Sequence, residues 1–195
     1  YWYFKEAVPS RIFDDIVRYR KQLQQQTAIT GENHKKIKDL KKQRDSNIVW
    51  LNEKWIYNEV HPYVRAANEN AGWNFQWDWS EQCQFTIYKK GQHYDWHCDS
   101  WDKPYNNPQG NHPYQGKIRK LSVTLSLSDE KDYSGGELEF DFKNNDKKNR
   151  VSKCKEIKTK GSIIVFPSFV WHRVCPVTKG ERNSLVIWNL GNPFV

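Results

Sequence analysis

Residues 93–99 read His-Tyr-Asp-Trp-His-Cys-Asp and hold two overlapping His-x-Asp patterns, His93/Asp95 and His97/Asp99. Residues two apart on an extended strand point to the same side, so either pair offers an imidazole and a carboxylate to one metal ion. Alternation puts 93, 95, 97 and 99 on one face and does not choose between the pairs. In a chain with six histidines a lone His-x-Asp is a weak signal; residues further along the chain give it weight. His172 lies on a later predicted strand, after "GSIIVFPSFVW". Two imidazoles and one carboxylate form a facial triad suited to non-haem iron(II), with three metal positions left open. Arg182 opens the last predicted strand, and a guanidinium deep in a pocket pairs with a carboxylate through two parallel hydrogen bonds. A metal with open positions and such an arginine are what a 2-oxoglutarate co-substrate requires. Its keto-acid end chelates the metal and its far carboxylate meets the arginine.

The elements that must position these groups change character near residue 80. Before it, "SRIFDDIVRYRKQLQQQ" (10–26) has Ser10 as a potential N-cap and apolar residues at helical spacing. The polar stretch 27–46 reads as an exposed helix or a loop, and 48–70 reads as a second helix through Val49, Leu51, Trp55, Ile56, Val60, Val64 and Ala67, with Pro62 as a kink point. After it the period is two. Strands are predicted over 81–88, 120–128, 136–142, 161–167, 169–174 and 182–190, divided by Gly, Pro and Asn turns, as in a sandwich or barrel. The 120–128 segment places Leu121, Val123, Leu125 and Leu127 on one face and Ser122, Thr124, Ser126 and Ser128 on the other. Small hydroxyls in place of charges suit the wall of a polar cavity. The loop "SWDKPYNNPQGNHPYQG" (100–116) is long for a connection within a compact domain and reads as a binding loop or lid.

The totals set bounds. A chain of 195 residues fits one integrated domain, here 1–80 as a helical support region and 81–195 as the core. Hydrophobic content is low at 37%, but ten Trp, ten Tyr and nine Phe supply large apolar surfaces for a core. No apolar run approaches a membrane span, and no signal peptide is visible at the start. Cys83, Cys98, Cys154 and Cys175 form no C-x-x-C pair and read as reduced thiols, which fits a cytoplasmic protein. The net charge of +8 lies largely in 34–44 and 147–160. Such runs are usually solvated faces, although 34–44 could dock an acidic partner.

Three stretches resemble a known family. "YKKGQHYDWHCD" resembles the Y-x-x-G-x-x-Y-x-x-H-x-D segment of prolyl hydroxylases in the Fe(II)/2-oxoglutarate dioxygenase superfamily. "RKLSVTLSLSDEKDYSGGELEF" resembles the next strands of bacterial and phage members, and "GSIIVFPSFVWHRVCPVTKGERNSLVIW" resembles the closing motif of the PKHD-type branch. The similarity covers residues 81–192 and extends faintly over "WIYNEVHPYVRAANENAGW". It implies a mainly β, α+β chain: a double-stranded β-helix (jelly-roll, cupin-like) barrel packed on N-terminal helices. It implies His97, Asp99 and His172 as iron ligands and catalytic centre, with Arg182 on the far carboxylate of 2-oxoglutarate. Tyr88 is placed to hydrogen-bond 2-oxoglutarate, and Tyr94, Trp188 and Trp101 line the substrate side. The motif selects His97 over His93, leaving His93 and Asp95 as neighbours, while Cys98 points away from the metal on a regular strand. Where some prolyl hydroxylases have a tyrosine this chain has Ser126, so Thr124 or Ser126 is expected to donate to the co-substrate.

The implied reaction consumes O2 and 2-oxoglutarate, with ascorbate as a supporting reductant. It releases succinate and CO2 and hydroxylates a C–H bond, foremost of a prolyl residue in a peptide or protein. Tyr94, Trp96, Trp101, Tyr105 and Tyr114 offer aromatic surface for a proline ring. A free amino acid is the next substrate reading, but needs a second carboxylate partner in the pocket. Nucleic-acid demethylation ranks low, because "RNSLVIW" lacks the further arginine of such relatives. A non-catalytic binding barrel is the reading from a different class, and it sits poorly with an intact triad and arginine. The Asn- and Lys-rich composition hints at a phage or small bacterium, hence a host cytoplasm; the sequence leaves the oligomeric state open.

Overall fold

The computed structural model describes residues 1–28, 37–100, 103–106, 110, 112–146 and 148–194. Among them are thirteen strands: β1 (Trp2–Phe4), β2 (Gln26–Ala28), β3 (Arg44–Leu51), β4 (Trp79–Ser80), β5 (Cys83–Lys89), β6 (His93–His97), β7 (Ile118–Ser126), β8 (Tyr133–Gly135), β9 (Leu138–Asp141), β10 (Val151–Cys154), β11 (Ile163–Pro167), β12 (Trp171–Val174) and β13 (Val177–Gly191). The helices are α1 (Ser10–Arg20), α2 (Ile37–Gln43) and α3 (Lys54–Asn70).

All strand pairs are antiparallel. The order β1-β11-β7-β13-β5-β3 makes the main sheet, and β6-β12-β9-β10 makes the minor one. β3 joins them: Asn47–Leu51 pair with β5, while Arg44 and Asp45 pair with Tyr94 and His93 of β6. The two sheets face each other as the expected double-stranded β-helix.

The period of two in the sequence divides the main sheet into two chemistries. Cys83, Phe85, Ile87, Leu121, Val123, Leu125, Ile163, Val165, Leu185 and Ile187 are buried in one cluster with Ile12 and Ile16 of α1 and Ile56, Val60 and Val64 of α3. That apolar face is the one the helices cover, so burial of both partners drives their docking. The opposite face carries Gln84, Thr86, Tyr88, Ser122, Thr124, Arg182 and Ser184, all buried, and turns toward the minor sheet. The hydroxyl face of β7 is thus interior, as its composition suggested.

The amino-terminal region departs from expectation. Its first eighty residues also supply β1 to β4, and the predicted 48–70 helix begins only at Lys54. Ile48, Val49, Trp50 and Leu51 belong instead to β3. Val49 and Leu51 fit a helical stripe and a strand face equally well. The adjacent edge of β5 decides for the strand, giving their backbone groups a partner. α3 continues through Pro62. The predicted loop falls partly outside the described residues, and Trp101 within it lies outside them. Of its aromatics, Tyr105 and Tyr114 pack edge to face, 5.1 Å apart.

Candidate metal and co-substrate site

β6 and β12 run side by side with His97 opposite His172. The pairing then slips: Tyr94 is opposite Val174, so β6 spends three residues where β12 spends two. This is a β-bulge, and it re-aims the side chains around it. The expectation that 93, 95, 97 and 99 share one face is therefore corrected. Tyr94 and His97 lie on the interior side with their rings stacked at 3.5 Å. His93 instead meets the Lys42 carbonyl at 2.9 Å, and Asp95 is exposed, accepting from the Trp96 N–H at 2.8 Å. β6 ends at His97, so Asp99 is delivered by a turn: its N–H and that of Ser100 both donate to the Ser168 carbonyl.

The outcome is a compact group. His97, Asp99 and His172 present ligand atoms within 4.8 Å of one another. Nε2 of His97 is 3.7 Å from one Asp99 oxygen, and Nε2 of His172 is 3.6 Å from the other. Each imidazole is oriented from behind: Nδ1 of His97 bonds the Asp95 carbonyl at 2.7 Å, and Nδ1 of His172 bonds the Val170 carbonyl at 2.9 Å. A carbonyl only accepts, so both Nδ1 atoms hold the proton and both Nε2 lone pairs are free for a metal. Burial, with His172 beside it, pushes the His97 imidazole down to about 3 against the pull of Asp99, which keeps it neutral and ligating. Burial opposes ionisation of Asp99, but the imidazoles of His172 and His97, Arg119 and the Ser122 hydroxyl outweigh it and hold the carboxyl well below its ordinary value. Two neutral nitrogens and one carboxylate oxygen fit a divalent ion of the iron(II) type.

Ser122 is a supporting residue that its sequence pattern assigns only to a cavity wall. Its hydroxyl donates to Asp99 Oδ2 at 2.7 Å and meets the Ser168 hydroxyl at 2.9 Å. Ser122→Ala should weaken divalent-metal binding by about 10- to 100-fold with the fold intact, as loss of such supporting contacts does. Anaerobic metal titration reads this, and an unchanged affinity would count against the role.

A cavity opens from the metal group along the hydroxyl face. Its wall includes Tyr88, Thr124, Arg182, Ser184 and Trp188. Arg182 is 3% exposed, donates to the Ser184 hydroxyl at 3.3 Å, and has no carboxylate partner among the described residues. Gly136 leaves room for it: a Cβ there would lie 3.0 Å from the Arg182 Cδ. Burial pushes the Tyr88 phenol up against the pull of Arg44 and Arg182, so it is a neutral O–H donor at pH 7. Gly91, with φ of 86°, makes the turn between β5 and β6 that brings Tyr88 and Tyr94 to one cavity. Ser126 is not on the wall. It ends β7, and its hydroxyl turns to the Ser128 carbonyl at 3.2 Å, which leaves Thr124 as the β7 hydroxyl facing the cavity.

Cys98 is half-buried, with Sγ 3.5 Å from the Ser100 carbonyl, and it borders an adjoining cavity rather than the metal group. The four cysteines form no disulfide with one another. Tyr105 and Tyr114 line a separate cavity with Trp50 and Trp79. A further groove, bordered by Trp96, His97, Phe169, Trp171 and Phe194, carries exposed aromatics beside the metal group. Sequence reasoning missed Phe169 and Phe194 there because nothing in their spacing marks them. It missed Arg44 because the surrounding basic run hides one cation among many.

Comparison with known proteins agrees with this geometry. A family model described as the 2OG-Fe(II) oxygenase superfamily matches residues 83–189. A PKHD-type hydroxylase of Pseudoalteromonas atlantica is 35% identical over 106 residues, covering 54% of this chain and 41% of the relative. Another, from a Synechococcus species, is 45% identical over 69 residues, covering 35% and 28%. The chain thus spans well under half the length of these curated relatives. The crystal structure of a Pseudomonas putida prolyl-4-hydroxylase superposes with a TM-score of 0.66 at 17% identity, covering 98% of this chain and 92% of that one. The viral collagen prolyl hydroxylase of Paramecium Bursaria Chlorella virus-1 gives 0.65 at 17% identity, covering 97% and 95%. At that identity the structural likeness speaks for the fold.

Proposed function

Because the chain belongs to the 2OG-Fe(II) oxygenase superfamily, we propose that it hydroxylates a prolyl residue in a peptide or protein, with 2-oxoglutarate as co-substrate. The observation that carries this reading is one cavity lined both by the His97–Asp99–His172 group and by Arg182, which has no carboxylate partner among the described residues. His97, Asp99 and His172 hold iron(II). The bound metal supplies the O2-dependent oxidation of 2-oxoglutarate to succinate and CO2, coupled to hydroxylation of a substrate C–H.

The chain's own residues bind and orient. Arg182 takes the far carboxylate of 2-oxoglutarate, with Tyr88 and Thr124 donating along its length. Tyr94, stacked on His97, and Trp188 bound the space on the substrate side. The aromatic groove of Trp96, Phe169, Trp171 and Phe194 supports a compact, apolar ring such as that of proline entering beside the metal. The names of the structural relatives support the same class: the Pseudomonas putida and viral proteins are prolyl hydroxylases, and a third, from Trichoplax adhaerens, was solved with a peptide fragment of hypoxia inducible factor. Among the described residues no helix is long and apolar enough to cross a membrane. Four cysteines without a disulfide among them favour a reducing compartment such as the cytoplasm.

The test is turnover of a proline-containing peptide library with iron(II), 2-oxoglutarate, ascorbate and O2. Succinate release and one added oxygen on proline, both lost in His97→Ala, are expected. Oxygen added only to non-prolyl residues, or to nucleic acid, would overturn the prolyl assignment.

A further inference from the structure

Arg44 is the charged residue that the proposed chemistry leaves unused. It opens β3 and is only 7% exposed. Its Nε donates to the Ser46 hydroxyl at 3.0 Å and its Nη2 to the Gln84 side-chain oxygen at 2.5 Å, both neutral acceptors. Its guanidinium carbon lies 4.6 Å from the centre of the Tyr94 ring, which stacks in turn on His97. No carboxylate partner for it is found among the described residues. Nearby, the indole N–H of Trp188 is buried without a hydrogen-bond partner among the described residues. Arg44 and Trp188 both line the co-substrate cavity and the adjoining one, which is also bordered by Trp50, Cys98 and Arg119 and reaches His97 and Asp99.

Burying a guanidinium without a counter-charge is costly, and a buried N–H without an acceptor adds to that cost. The charges of the loaded site show what is missing. Asp99 and the two carboxylates of 2-oxoglutarate balance iron(II) and Arg182. Arg119 is neutralised by Glu81 through bonds of 2.7 and 2.6 Å. Arg44 alone is left, and Asp99 is the only carboxylate among the described residues lining either cavity.

We infer that Arg44 and the Trp188 indole N–H receive a carboxylate of the primary substrate, in the cavity beside His97 and Asp99. This rests on the proposed iron and 2-oxoglutarate chemistry. The carboxylate has two possible sources of the same chemistry. One is the α-carboxylate of a free or C-terminal amino acid. The other is an Asp or Glu side chain next to the hydroxylated residue within a peptide.

Calorimetry on the full chain tests this without turnover, with manganese(II) in place of iron. Binding of 2-oxoglutarate to the manganese-loaded protein is measured first, and its absence would defeat the parent reading by itself. Acid and amide pairs are then compared: N-acetylproline with its carboxamide, a blocked Pro-Glu peptide with its Pro-Gln counterpart, and the same pairs built on leucine. At least one acid should bind about tenfold or more tightly than its amide, the effect of one charge-assisted hydrogen bond. The preference should vanish in Arg44→Gln, return in part in Arg44→Lys and weaken in Trp188→Phe, which keeps an aromatic ring there and removes the N–H. The favoured pair identifies the source. A preference confined to leucine probes refutes the prolyl assignment and leaves the carboxylate site standing. The inference is overturned if no acid in any arm outbinds its amide, or if the preference survives in Arg44→Gln. It is also overturned if Arg44→Gln weakens 2-oxoglutarate binding while leaving the acid preference intact.

Discussion

Asp99→Ala should abolish iron-dependent succinate formation and lower divalent-metal affinity by more than about 100-fold, since even residues that only support a ligand cost 10- to 100-fold. The reason is charge as well as geometry. Asp99 is 6% exposed and would be the anionic ligand of the proposed site, beside two imidazoles. Without it two neutral nitrogens must hold a dication in a buried site. Asp99→Asn separates the effects, because an amide oxygen can still accept from Ser122 where the carboxylate does at 2.7 Å, yet carries no charge. The check is metal titration beside circular dichroism, so that loss of metal is told apart from loss of fold. Iron-dependent turnover persisting in Asp99→Ala would remove this triad from consideration.

Arg182→Ala is the second large effect, and it should separate function from stability. A buried guanidinium bound to a carboxylate typically costs about 2–5 kcal/mol when truncated, or roughly 30-fold to more than 1000-fold in affinity. The KM for 2-oxoglutarate should climb by that factor, with activity partly recovered at high co-substrate. Stability should hold or rise, because Arg182 has no ion-pair partner among the described residues and its removal orphans no acid. An unchanged KM, measured by succinate release against 2-oxoglutarate concentration, would reassign the arginine.

Much of this architecture could be read from alternation alone. β5, β7 and β13 each carry an apolar face and a polar or mixed face, and the helices cover the apolar one, while β11 is apolar on both faces. The metal group was legible because His97, Asp99 and His172 sit in motifs with distinctive surroundings. What alternation got wrong traces to one inserted residue: the bulge in β6 breaks the period, so parity predicted a shared face that the backbone does not have. β3 was hidden for another reason. Its apolar residues satisfy two periods at once, and only pairing with β5 chooses between them. Arg44 and Ser122 were out of reach because their importance lies in what they meet across the fold, 40 and 23 residues away in sequence.

The two imidazoles are oriented by main-chain oxygens, those of Asp95 and Val170. Every amino acid has that oxygen, so no point substitution at 95 or 170 deletes the acceptor. The proton position on each ring is thereby insulated from sequence drift. Exchange of Asp95 or Val170 leaves these two bonds in place so long as the backbone path is kept. Insertions and deletions near the bulge are the changes this site resists, and chain length between Tyr94 and His97, more than side-chain identity, is where selection should bear hardest.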